Sequence, residues 1–280
     1  MTIKIVTDSS CDLPAELVQE LGITVVPLYA RFGEEVYREQ VEISLDEFYR
    51  RLEQGRVHPV TIQPSPQDFV TAYQKVTPEA DGILSIHISS KLSGTYNSAV
   101  QGRETVGTEC PIEVIDSQMV TVGLGLVCVA AAKMAQAGED LATVAKEARR
   151  MITDIHLLCL LDTLKYLALG GRIGKAKALL GSVLNVKPMI TLREGEVVPA
   201  GQVRSRSKGI ERLSSFVESA TSIDDLAIAY NTTPDEARAL AERLSSLVKQ
   251  EVRLVRLGTT LGVHMGPGAL AVGFIGKKPV

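Results

Sequence analysis

The chain has 280 residues, 45% of them hydrophobic and 22% charged, with a formal net charge of -3. That length and balance fit a globular protein of one large or two ordinary domains, and the slight acidity argues against nonspecific nucleic-acid binding, which needs a concentrated basic face. No apolar run reaches the roughly 18 residues of a membrane span, and Cys11, Cys110, Cys128 and Cys159 form no CxxC pair, so neither a zinc site nor a thioredoxin-like motif is indicated.

The first half alternates strand-like and helix-like segments. Ile3–Thr7 reads as a strand and a turn rather than a signal peptide. Asp12 is placed to cap a helix that begins at Pro14 and ends at Gly22. Ile23–Phe32 is the next strand, with Pro27 demanding an edge or a bend. Ser44 and Glu47 have capping-box spacing for a helix that Gly55 stops. "VTIQPSPQDF" reads as a loop entering a helix near Pro66. Gly82–Ile88 is a strand, Thr95–Val106 a helix, and Ile112–Asp116 a strand; helices follow over 124–137 and 141–153. Such alternation predicts a parallel sheet with helices on both faces.

The second half begins near 153–160. Strands are expected at 155–161, 187–192, 197–203, 226–230, 251–257 and 270–275, with Glu194–Glu196 as a hairpin turn. Helices are expected over 207–220 and 234–248, the latter with Thr233 as cap and Pro234 at its first position. A short turn between neighbouring strands requires antiparallel pairing, so this sheet is mixed. The expected fold is therefore α/β with two domains, 1–154 and 155–280, the first mainly parallel and the second mixed.

Several enzyme motifs fail on inspection. "GLGLVC" from Gly123 lacks the third glycine of a dinucleotide fingerprint, and "GGRIGKA" from Gly170 is one residue short of a P-loop and has no hydroxyl after Lys175. There is no GxSxG and no HExxH. His87 sits within an apolar strand, where a satisfied structural histidine is expected; His58 and His156 have no partner pattern. His264 differs, because Gly262, Gly266 and Gly268 surround it and let the backbone turn tightly or approach a ligand.

Four hydroxyl-rich stretches stand at strand ends: Asp8–Ser10, Thr61–Ser65, Ser89–Thr95 and Arg204–Lys208. Each is readable as a helix cap. Their recurrence at the carboxyl ends of strands, where open α/β sheets bind ligands, favours a site for an anion.

These stretches resemble the DegV family, the bacterial fatty-acid-binding proteins. The resemblance runs through "IVTDSSCDLP", "TIQPSP", "SSKLSGTYNSA", "VIDSQMVTVGLG", "LKYLALGGRIGKAKALLGSVLNVKPMI", "VRSRSKG" and "HMGPGALAV", in that order and over nearly the whole chain. One departure is Ile62, where the family often has a hydroxyl residue, as in "TSQPS". The resemblance implies a long-chain fatty acid held between two α/β domains as a ligand, with no cofactor and no metal. It implies a carboxylate bound by Thr61, Ser93 and His264, with further donors around Gly94 and Thr95 and an arginine nearby, Arg204 in preference to Arg206. It also implies a cytoplasmic carrier that presents the acid to a separate fatty-acid kinase for acyl-phosphate formation and phospholipid synthesis, with ATP bound elsewhere. Transient contact with a membrane surface is compatible with that role. The competing reading is a stand-alone hydrolase or acyltransferase using Ser93 and His264; a full triad would draw on Ser93, His87 or His264, and Asp116.

Overall fold

A computed structural model describes residues 1–55, 57–179 and 186–278. Residues 180–185, in the middle of the long motif from Leu164 to Ile190, lie outside the described residues.

Between Ile3 and Asp116 the chain winds a four-stranded parallel sheet. Its strands are β1 (Ile3–Asp8), β2 (Thr24–Val26), β6 (Gly82–His87) and β7 (Ile112–Asp116), ordered β2-β1-β6-β7. Every residue of β6 is buried, as expected of a strand covered on both faces. Helices α3 (Pro66–Val76) and α4 (Thr95–Thr105) cover one face, where Phe69, Tyr73 and Ala99 pack on Val6 and Ile83. Helices α1 (Ala15–Leu21), α5 (Val122–Gln136) and α6 (Leu141–Thr153) supply the other.

Pro27 divides the expected strand Ile23–Phe32. The piece before it is β2; the piece after it, β3 (Tyr29–Phe32), enters a separate antiparallel sheet. That sheet holds β4 (Glu35–Arg38), β3 and β5 (Val60–Ile62) in the order β4-β3-β5. The segment around Thr61, expected as a loop, is thus a strand, and Thr61 pairs with Ala30. Helix α2 (Leu45–Gln54) packs Phe48, Tyr49 and Leu52 beneath it. Ser44 Oγ accepts from Glu47 N at 3.2 Å, but the Glu47 carboxylate turns to Arg50 and Arg51, so only half of the capping box forms. The complete box belongs to α3, where Ser65 and Asp68 exchange bonds. Asp12 does not cap α1: it has left-handed backbone, φ 53°, and closes the tight 3-10 turn that Asp8 opens.

From Ile155 onward lies a six-stranded mixed sheet: β8 (Ile155–Leu160), β9 (Lys187–Arg193), β10 (Glu196–Val203), β11 (Ser222–Tyr230), β12 (Arg253–Arg256) and β13 (Leu270–Lys277), ordered β10-β9-β8-β13-β11-β12. Only β11 and β12 pair in parallel. Glu194 and Gly195, with φ of 52° and 78°, make the β9–β10 hairpin turn. Helices α8 (Arg206–Glu218) and α9 (Pro234–Leu244) cover the outer face. Two short helices escape the sequence reading: α7 (Lys165–Leu169) and α10 (Thr259–Met265).

Helix α5 joins the two halves. Its Val122, Leu124, Val127, Cys128 and Ala131 are buried in one core that also contains Ile5 and Leu84 of the first sheet and Leu157, Ala229 and Ala271 of the second. Burial on all sides explains why this stretch reads as continuously apolar rather than amphipathic.

Candidate functional site

A cavity lies between the two sheets and encloses about 890 Å³ of space between atoms, counting its opening to solvent. One wall comes from beyond the carboxyl ends of β6 and β7: Ile88, Leu92, Ser93, Val120 and Thr121. The opposite wall is built by alternate residues of strands, which share a face: Leu157 and Cys159 of β8, Ile190 and Leu192 of β9, and Val197 of β10. Helix α10 closes the third side with Thr260, Leu261, His264 and Met265. Most of this lining is aliphatic. Burial pushes the Cys159 thiol up to about 12, so this sulfur is a small apolar wall element rather than a nucleophile.

Two polar groups of the cavity lining meet. Thr61 Oγ1 and His264 Nε2 are 3.1 Å apart. The strand β5 delivers Thr61 and the helix α10 delivers His264, 203 positions later in the chain. Burial, the nearby Arg172 guanidinium and His58 together push His264 down to about 4, so the imidazole is neutral at pH 7 and carries one N–H. Its Nδ1 is buried and has no hydrogen-bond partner. Gly170 passes so close that a Cβ there would collide with the ring.

Ser93 joins them on the cavity wall, with its Oγ 2.8 Å from Thr95 Oγ1 and accepting from Thr95 N at 3.3 Å. Thr95 is buried behind it and orients it rather than lining the cavity. Gly94 leaves room for Gln63, whose side chain would meet a Cβ at that position; Gln63 Nε2 donates to Ser98 Oγ at 3.2 Å. The structure therefore brings Thr61, Ser93 and His264 to one cavity and sets Gly94 and Thr95 just outside it.

Arg204 is exposed and does not line the cavity. Arg206 fails to reach it too, because Glu236 at 2.6 Å and the Gly268 carbonyl hold its guanidinium between α8 and α9. The arginine on the cavity wall is Arg172, within the "GGRIG" stretch set aside as a defective P-loop. Its Nη1 and Nε donate to the carbonyls of Gly170 at 2.8 Å and Leu92 at 3.2 Å, and no carboxylate pairs with it among the described residues. Sequence reasoning also missed Gln63, Thr121 and Thr260. A cation in a glycine loop was the available signal for Arg172; Gln63 and Thr121 lie inside stretches already singled out, and nothing local marks Thr260.

No Ser–His–Asp device forms here. Ser93 bonds to Thr95, His264 to Thr61, and the Asp116 carboxylate to Ser90 Oγ at 2.5 Å and Gln118 N at 2.9 Å. A triad-like chain does exist elsewhere: Asp8 Oδ2 lies 2.9 Å from His87 Nδ1, and His87 Nε2 lies 2.6 Å from Ser85 Oγ. Ser85 is in turn 2.9 Å from Tyr73 OH. All four are inaccessible to solvent and none lines the cavity. Among the described residues, no three His, Cys, Asp or Glu side chains gather for a metal, and no helix is long and apolar enough to cross a membrane.

Fold and site together define a class: an α/β protein with two unequal sheets around a largely aliphatic cavity that carries neutral hydrogen-bonding groups on its wall. The chain belongs to the DegV family, whose model matches residues 2–277. It is 37% identical over 276 residues to a DegV domain-containing protein of Deinococcus radiodurans, covering 97% of this chain and 98% of that one. A DegV family protein from Thermus thermophilus, whose fatty-acid binding has been described, superposes with a TM-score of 0.91 at 35% identity, over 99% of this chain and 100% of that one. DegV of Bacillus subtilis, a fatty-acid-binding protein, superposes with a TM-score of 0.89 at 30% identity, again over 99% and 100%.

Proposed function

We propose that this protein binds a long-chain fatty acid between two α/β lobes, 1–154 and 155–280, with the carboxylate at Thr61, Ser93 and His264 and the acyl tail along the aliphatic walls. The observation that carries the reading is one cavity, lined mostly by aliphatic side chains, on whose wall Thr61, Ser93 and His264 all stand. The fatty acids bound by structural neighbours of the same family support it.

The energetics divide the work. A tail of about 15 methylenes, at roughly 0.8 kcal/mol each, contributes on the order of 12 kcal/mol as an upper limit, from which the cost of association subtracts. A buried carboxylate must be hydrogen-bonded, and each charge-assisted bond contributes about 1.5–3 kcal/mol. Hydroxyls and a neutral imidazole supply these bonds without a competing acid, and Arg172 adds positive potential from the rim.

In the same reading the protein is a cytoplasmic carrier rather than an enzyme. It presents the carboxylate to a separate kinase: a carboxylate oxygen attacks the terminal phosphorus of ATP held by that kinase, ADP leaves, and an acyl phosphate remains for phospholipid synthesis. The test is mass spectrometry of lipid extracted from denatured, freshly purified protein, followed by incubation of the loaded protein with ATP with and without a fatty-acid kinase. A stoichiometric fatty acid, phosphorylated only when the kinase is present, is expected. Ester turnover by the protein alone would move the assignment to the hydrolase reading, and absence of any acyl ligand together with failure to bind added acid would remove the carrier.

A further inference from the structure

Two buried carboxyl groups converge on the start of α10. Glu39, just beyond β4, is 1% exposed; its Oε1 accepts from Thr260 N at 2.7 Å, and its Oε2 from the hydroxyls of Ser9 at 2.6 Å and Thr260 at 2.7 Å. Asp12 is 3% exposed, and its Oδ1 accepts from Gly258 N at 2.8 Å. A Cβ on Gly258 would stand under 3.0 Å from both Glu39 Oε1 and Asp12 Oδ1. The two groups therefore lie within about 6 Å, the range over which like charges contest ionisation. Among the described residues neither makes an ion pair; Arg256, which faces the neighbouring Tyr49 ring, is paired with Asp46.

Two carboxyl groups so placed cannot both be charged away from water, and one proton between them removes the conflict. The bonding says which of them keeps the charge. Glu39 accepts from three donors, as a carboxylate does. Asp12 accepts one backbone N–H and meets the Thr121 hydroxyl. Burial first, then Glu39 and more weakly Asp8, push the Asp12 carboxyl well above its usual range. The other titratable groups packed here are Cys11 of the same turn, with Cys128 of α5 beside it, and Tyr49 of α2. Burial raises both thiols and the phenol, so they stay neutral at pH 7.

We propose that Asp12 and Glu39 hold one proton between them at neutral pH, and that this proton keeps α10 seated and His264 in its binding position. Asp12 belongs to the first lobe and Glu39 to the chain leaving the small sheet, yet both grip residues 258–260. His264 follows on the same short helix, about one turn further along, and meets Thr61. Asp12 and Glu39 are thus positioning residues that act through α10. Loss of the proton leaves two negative charges against one helix start. Their repulsion is relieved when residues 258–260 move away, and His264 then moves off Thr61.

The positioning role rests on the fatty-acid reading, and two measurements separate them. Infrared spectroscopy of the delipidated wild type at neutral pH should show the C=O stretch of a buried, protonated carboxyl. Asp12→Asn, a neutral amide of the same shape, should remove that band. Affinity for octadecanoic acid, followed as the pH is raised, should fall by about tenfold or more as the band is lost. Asp12→Asn has no proton to lose there, so it should keep near wild-type affinity at neutral pH and carry it to pH values at which the wild type has released the acid. A carboxyl that merely braced the fold would shift the unfolding midpoint and leave the two alkaline profiles alike. Should the variant not fold, the wild type still decides, because its affinity must track its band. An absent band, a band that survives Asp12→Asn, an affinity that ignores the loss of the band, or wild type and variant releasing the acid at the same pH refutes the proposal and leaves the carrier reading standing. If no acid binds at any pH, the carrier reading and the positioning role fall together, and the band alone decides the shared proton.

Discussion

Two histidines of this protein each meet a hydroxyl, and they do opposite things. His87 is held at both ring nitrogens, by Asp8 at 2.9 Å and Ser85 at 2.6 Å, and is sealed from solvent. His264 meets Thr61 at 3.1 Å through one ring nitrogen and packs the other, buried and without a hydrogen bond, against Gly170, on the wall of a cavity. The first has a fuller triad geometry, yet nothing can reach it. The second has an incomplete one and faces space. Access to a cavity marks a binding group better than resemblance to a catalytic pattern does.

The comparison can be broken most forcefully at Asp8. Its carboxylate accepts from Ser10 N, the Ser10 hydroxyl and Ile88 N as well as meeting His87. Asp8→Ala strands these buried donors and should cost about 3–5 kcal/mol of stability, read as a fall in the urea midpoint at unchanged slope. A change under 1 kcal/mol would show that the network is not structural.

The next effect in size is pH-dependent. His264 binds its proton near pH 4 in the folded chain and near its ordinary 6.5 when unfolded. Between those values the unfolded state takes up the extra proton, so stability falls as pH drops through that window and is restored above it. The loss amounts to roughly 3 kcal/mol at most, at 1.4 kcal/mol per pKa unit. Urea titrations at pH 7 and pH 4.5 should show this slope for the ligand-free wild type and a shallower one for His264→Gln. A bound carboxylate should oppose it by favouring the imidazolium.

Removing the binding groups should lower affinity with little effect on the fold. His264→Ala and Ser93→Ala should each weaken fatty-acid retention by about 1.5–3 kcal/mol, or roughly ten- to a hundredfold, measured by competition with a fluorescent acid. Unchanged affinity in either variant would remove that residue from the head-group site. The smallest effects separate two arginines. Arg172→Ala should weaken binding by up to about 1 kcal/mol, because its charge is exposed at the rim, whereas Arg204→Ala should stay within about 0.5 kcal/mol of wild type. The reverse order would restore Arg204 to the head group.

These differences track what the sequence can carry. Caps, turns and alternation are local, so Ser44, Pro27 and the Glu194–Gly195 turn were legible, as were the two larger sheets and most helices, while the small sheet of β3, β4 and β5 was not. Helix α10 was not, because Gly262 looked like part of a turn. Its glycine serves close approach: a Cβ there would strike Phe48 of α2. Thr61 and His264 each stood in a stretch that the sequence singled out and the family resemblance pointed to, but their meeting depends on how β5 and α10 pack, which no spacing encodes. Arg172 escaped for a related reason. Two arginines among serines drew attention to 204–206, while the one that reaches the cavity sits in a glycine stretch whose placement is tertiary.

Helix α5 has a consequence for how the halves behave. It is the middle layer of both, with apolar side chains committed to each sheet. Pulling the lobes apart would wet one side of that layer along its whole length. The two halves should therefore melt in a single cooperative step, neither should survive alone when expressed as a fragment, and a guest should come and go past the rim while the sandwich stays shut.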